Sequence, residues 1–164
     1  MHGDPRYRGR MERLYGLREV LEQVDGAVMH DLVWEDGSTF AGVLDTLEAA
    51  GARPTAYFCA HDGLAVTVIS ELLARGLRIP EDASVVGFGD YSAALQILPR
   101  LTTVKMHGPE IGALCVRLLD ARINTPGFPA VPVRMLIPSR IVERQSAGPA
   151  PAVRQAAALL TTRA

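Results

Sequence analysis

The chain has 164 residues, 17 basic against 18 acidic side chains, a formal net charge of -1, and 48% hydrophobic residues. That length suits one domain with a sizeable core, and the composition excludes a mostly disordered chain. The balanced charge excludes a global basic field that would hold a phosphate backbone by counterion release.

Cys59 and Cys115, the two cysteines, both sit in apolar runs and read as small core residues in a reducing compartment rather than as a disulfide framework. The first ten residues lack the apolar stretch of a secretory signal, and no later run is long enough to span a bilayer. These features predict a cytoplasmic protein with no membrane association.

From Met11 to Val24, apolar Leu14, Leu17, Leu21 and Val24 recur at helical steps with charged residues between them, which predicts an amphipathic helix. Residues 27–33 are short and partly β-branched and predict a strand. Turn chemistry at 35–38 follows, with Ser38 as the expected N-cap of a helix carrying Phe40, Val43, Leu44 and Leu47 and stopping at Gly51. The pattern repeats with a strand at 55–59, a polar hinge at His61 and Asp62, a helix carrying Ala65, Val68, Ile69, Leu72 and Leu73, and a strand at 84–88. Alternating strands and helices with short connections require crossovers, so the fold class is α/β, a doubly wound parallel sheet.

Beyond Asp90 the order changes. Residues 101–105 read as a strand, Pro109 opens a helix with the stripe Ile111, Leu114, Cys115, Leu118 and Arg122, and a last extended stretch runs over 131–142, broken by Pro138. After Gln145 the chain turns Ala/Pro-rich, which predicts a mobile tail over 146–164.

Several ordered segments resemble the effector-binding part of LacI/GalR transcriptional regulators. They are Arg13-Leu-Tyr-Gly16, Arg53-Pro-Thr-Ala-Tyr-Phe-Cys-Ala-His-Asp62, Arg75-Gly-Leu-Arg-Ile-Pro-Glu-Asp82, Val85-Val-Gly-Phe-Gly-Asp90, Leu101-Thr-Thr-Val104, and the stretch from Ile137 to Arg144. The resemblance implies a sensor like the periplasmic sugar-binding proteins, with two α/β lobes and a small, sugar-like effector in the cleft between them. It implies that the chain starts late: residues 1–145 form a partial effector-binding domain, and 105–123 belong to an incomplete N-terminal lobe. DNA is then reached only through a headpiece absent from this chain. The partner is a second copy or a full-length relative, met through the helices at 40–47 and 65–73.

By the same resemblance Arg13 reaches toward ligand oxygens, a role that suits the paired donors of a guanidinium. His61 takes the place where many members have an amide, at the C-terminal end of a strand, where open parallel sheets present ligands. A helix-entry role for it is equally compatible with the sequence. Asp62 reads as a cap for the following helix. The residue after Phe88 is usually an aspartate in this family and here is Gly89, so Asp90 is the candidate to replace it. Gly37 similarly stands where some members carry an aromatic platform, Met106 where a polar group contacts ligand, and Trp34 reads equally as a sugar platform or a core anchor.

His30 and His107 have no partners at metal-ligand spacing, so no metal, no cofactor and no catalytic site is expected. Two other readings compete with the sensor. One is a degenerate copy that only dimerises. The other is a small α/β enzyme, against which stand the missing nucleophile elbow, P-loop, HExxH and glycine fingerprint.

If the helix after Pro109 lacks its sheet, several side chains each worth roughly 1.5 to 3 kcal/mol on burial stay wet. The chain alone is therefore expected to self-associate or to be poorly soluble. Analytical ultracentrifugation checks this, and a monomer that melts cooperatively would contradict it.

Overall fold

The computed structural model describes residues 8–33, 39–129 and 131–150. Helix α1 spans Arg8–Leu21, α2 Phe40–Ala49, strand β1 Ala56–Phe58, α3 Asp62–Ala74, β2 Ser84–Gly89, the short α4 Ala93–Gln96, β3 Thr102–Lys105, α5 Gly108–Asn124 and β4 Arg140–Val142. The sheet order is β1-β2-β3-β4. The first three strands are parallel, and β4 closes antiparallel on β3, with Val104 opposite Ile141 and Lys105 opposite Arg140.

Successive side chains of a strand point to opposite faces, and β2 displays this at its end. Gly87 faces α3, where Asp62 and Ala65 lie against it. Phe88 faces α1, and its ring carries the Arg13 guanidinium. Helices thus cover both faces of the sheet, as the alternating pattern predicts.

The core forms on the α3 side. Leu64, Ala65, Val68, Ile69 and Leu72 of α3 are buried with Phe40, Leu44 and Leu47 of α2 and with Tyr57, Cys59, Val85 and Leu101 from the sheet. Burial pushes the Cys59 thiol up to about 12, so it stays a neutral packing group. Arg75, just past α3, ties α2 to α3 through Asp45 at 2.8 Å, Glu48 at 3.2 Å and the Ala41 carbonyl at 2.9 Å.

Several expectations are corrected. Helix α1 ends at Leu21, and Val24 lies exposed in the following turn. Of the strand expected over 27–33, only Val33 makes an isolated bridge, because β propensity becomes a strand only where the backbone meets a continuous partner. Instead, 26–32 run beside α1 and β1 along an apolar groove of about 600 Å³ lined by Leu14, Leu17, Leu21, Leu32 and Phe58.

Of the stretch 131–142 only Arg140–Val142 pairs. Pro132 and Pro138 remove ladder donors from the rest. The N-cap of α2 is Thr39, whose Oγ1 accepts from Gly42 N at 3.2 Å. Trp34, Gly37 and Ser38 lie outside the described residues.

Ser146 falls in the expected tail, yet it is fully buried. Its Oγ accepts from Thr102 N at 2.8 Å and donates to the Val85 carbonyl at 2.6 Å, which stitches β2 to β3. The described chain is therefore anchored past Gln145, through Gly148, whose N–H donates to Ser84 Oγ at 3.2 Å. Residues 151–164 lie outside the described residues.

Helix α5 has no buried residue. Val116, Leu119 and Ile123 are exposed, as is Cys115, which is thus a surface thiol and not a core residue.

At Gly87 a Cβ would run into the Asp62 carboxyl and come within 2.9 Å of Leu101 Cδ2. Both neighbours are fully buried and have little room to move. Gly87→Ala is expected to destabilise the fold by about 1 to 3 kcal/mol through overpacking. Urea denaturation reads this directly, and an unchanged midpoint would contradict it.

Candidate functional site

Because β1, β2 and β3 run parallel, their C-terminal ends share one edge, and the chain places its polar side chains there. Residues 59–62 follow β1, Asp90 and Tyr91 follow β2, and Met106 follows β3. Arg13 comes to the same edge from α1. Its Nη1 donates to the Ala60 carbonyl, its Nη2 approaches Met106 Sδ at 3.9 Å, and its Cζ lies 3.8 Å from the Phe88 ring centroid. Among the described residues the guanidinium is thus held by a carbonyl and an aromatic face rather than by a carboxylate. Burial lowers its pKa from the ordinary arginine value.

His61 lies beside Ala60 and caps α3. Its backbone is extended, and its Nδ1 accepts from Leu64 N at 3.1 Å. An accepting Nδ1 leaves the ring proton on Nε2. Burial, followed by the charge of Arg10, lowers its pKa, so the neutral ring persists at neutral pH.

Asp62 is not the cap that the sequence suggests. It occupies the first turn of α3, fully buried, where Oδ1 accepts from Thr103 Oγ1 at 2.5 Å and Oδ2 from Tyr91 N at 2.7 Å. His61 at the N-cap accepts from the third helical N–H, and the Asp62 side chain points inward instead.

Gly89 and Asp90 both have positive φ, 131° and 60°. This pair of left-handed residues bends the chain after β2 so that Tyr91 N meets Asp62. A Cβ at Gly89 would collide with the Tyr91 ring.

Asp90 is engaged within the protein. Its Oδ1 accepts from Arg144 Nη2 at 2.5 Å, and Lys105 Nζ lies 3.5 Å from its Oδ2. Arg144 also donates through Nη1 to the Leu101 carbonyl at 2.8 Å.

Arg13 and His61 therefore meet at one edge, with Asp90 at the same strand ends but paired to β3 and β4. Sequence reasoning missed Tyr91, Arg144 and the inward role of Asp62. Arg144 lies 54 positions from Asp90, and only the β3–β4 pairing brings them together. Among the described residues no cluster of His, Cys, Asp and Glu suits a metal ion, and no helix is long and apolar enough to cross a membrane.

The fold and this edge define an α/β lobe of the periplasmic-binding-protein-like kind. Residues 2–147 match the model of the periplasmic binding protein-like domain. The ribose operon repressor of Haemophilus influenzae is 33% identical over 117 residues, 70% of this chain and 35% of that protein. The transcriptional repressor PurR of Vibrio cholerae is 34% identical over 116 residues, 69% of this chain and 34% of that protein. A LacI family regulator from Enterococcus faecium, solved with bound ribose, superposes with a TM-score of 0.69 at 26% identity, covering 90% of this chain and 55% of that one. The chain belongs to the periplasmic binding protein-like domain family, among the effector-binding domains of LacI/GalR regulators. It spans about a third of the length of these curated relatives.

Burial alone would raise the pKa of Asp90, but the hydrogen bond and charge of Arg144, with Lys105, outweigh it and hold the carboxyl below its ordinary value. A folded pKa below the unfolded one gives stability that is complete above about pH 4 and is lost as the pH falls through the folded value. Asp90→Asn is expected to lower neutral-pH stability and to flatten the acid-side loss. Denaturant titrations at a series of pH values between about 3 and 7 test it, and parallel curves for the two proteins would contradict it.

Proposed function

We propose that this chain is the effector-sensing and dimerisation portion of a LacI-type DNA-binding transcriptional regulator, which holds a small sugar-like ligand in a cleft between two lobes. The observation that carries the reading is the convergence of Arg13 and His61 at the C-terminal ends of parallel strands, the edge where open α/β sheets bind ligands. The output is binding and a shift in lobe closure, not chemistry. The relatives named above are repressors, and one neighbour was solved with ribose.

In this reading residues 105–123 belong to the other lobe. The exposed Val116, Leu119 and Ile123 of α5 support that, since an amphipathic helix without a buried face lacks its packing partner. Partner copies meet through α2 and α3. DNA contact belongs to a headpiece, and the net charge of -1 offers no substitute for one.

A second reading, a module that only dimerises, draws on Gly89 and on an Asp90 already paired with Arg144 and Lys105. The two are separated by ligand-induced stabilisation. A sugar at about 100 times its Kd stabilises a folded binder by about 2.7 kcal/mol, or roughly 5 to 10 °C in Tm for a chain of this size. Such a rise with ribose or a related sugar, abolished by Arg13→Ala, is the expected outcome. A cooperative melt that no sugar moves leaves the dimerisation reading.

A further inference from the structure

Hydroxyl-rich neutral ligands need acceptors as well as donors, because each sugar hydroxyl carries a proton to give. The described part of this edge provides few. Asp62 spends both carboxyl oxygens on Thr103 and Tyr91. Asp90 spends its own on Arg144 and Lys105. The Nδ1 of His61, its single accepting nitrogen, is taken by Leu64 N. No carboxylate fits at position 89 either, since any Cβ there would strike the Tyr91 ring, and φ of 131° strains every residue but glycine.

Donors, in contrast, remain. Arg13 uses only part of its N–H fork on Ala60 and Met106 and has no carboxylate partner among the described residues. His61 keeps its Nε2–H. Lys105 and Arg144 together meet a single carboxylate, Asp90. Among the described side chains of this edge, the cations Arg13, Lys105 and Arg144 outnumber the carboxylates Asp62 and Asp90 by one.

We infer that the effector carries an anionic group, a carboxylate or a phosphate, which is received by Arg13 and the Nε2–H of His61. This deepens the effector reading above and rests on it. A guanidinium stacked on an aromatic ring and anchored by one carbonyl keeps its remaining donors in a fixed plane, the arrangement that suits a two-oxygen acceptor. Tyr91, about half exposed and packed over Gly89, supplies a ring face beside it for the uncharged part of the molecule.

The test is calorimetric titration of the chain, at one fixed ionic strength, with glucose and ribose as neutral probes, gluconate and glucuronate as carboxylates, and glucose 6-phosphate as the phosphate. At least one anionic probe is expected to bind about tenfold or more tighter than its neutral counterpart, and which one does so separates carboxylate from phosphate. Arg13→Gln should erase the preference, and Arg13→Lys should keep part of it, because charge survives and the fork does not. Should Arg13→Gln fail to fold, the wild-type salt dependence decides the point: anion binding weakens as salt rises, and neutral binding does not. Equal or tighter binding of glucose or ribose would overturn the inference and leave the effector reading standing. Binding of no probe in either set would overturn both.

Discussion

The buried carboxyl of Asp62 is the constraint on which the candidate site depends. Removing a carboxyl from water is costly unless its oxygens find donors, and here one donor comes from β3 and the other from the backbone just after β2. The first turn of α3 is thereby fixed to two strand ends at once. Gly87 belongs to the same arrangement, because only a residue without a side chain leaves the volume that the carboxyl occupies.

From this joint the neighbouring features follow. Tyr91 is drawn in by its N–H, which requires the sharp bend at Gly89 and Asp90, and the bend turns the Asp90 side chain toward Arg144 and Lys105. His61 is left to cap α3, which sets its tautomer. Arg13 then closes the edge from the opposite side, across Phe88. The site is thus a set of oriented donors held by hydrogen bonds that lie mostly behind it.

The two ends of the molecule differ in how fully they are packed. Around α3 the core is closed, with Leu64, Val68, Ile69 and Leu72 almost entirely removed from water. Around α5 it is open, and apolar side chains face outward. On the reading proposed above, that helix completes a second lobe. The uneven packing then has a simple origin, since each lobe of a two-lobed sensor buries its helices only against its own sheet.

The sequence by itself determined the four longer helices and the parallel strands, because 3.6-residue and continuous apolar patterns are local and survive without knowledge of the partner, whereas the single turn of α4 carries no such period. It also pointed to Arg13 and His61 through ordered motifs along the chain. What it misjudged depended on partners. Residues 27–33 have strand character but yield only an isolated bridge at Val33, and most of 131–142 forms no strand either. Asp62 reads as a cap until the histidine before it is seen to do that work. Ser146 reads as a tail residue until its hydroxyl is found bridging β2 and β3. Only the tertiary structure decided these, since a buried polar group's role is set by the donors and acceptors that distant segments bring within about 3 Å, and no local pattern encodes that distance.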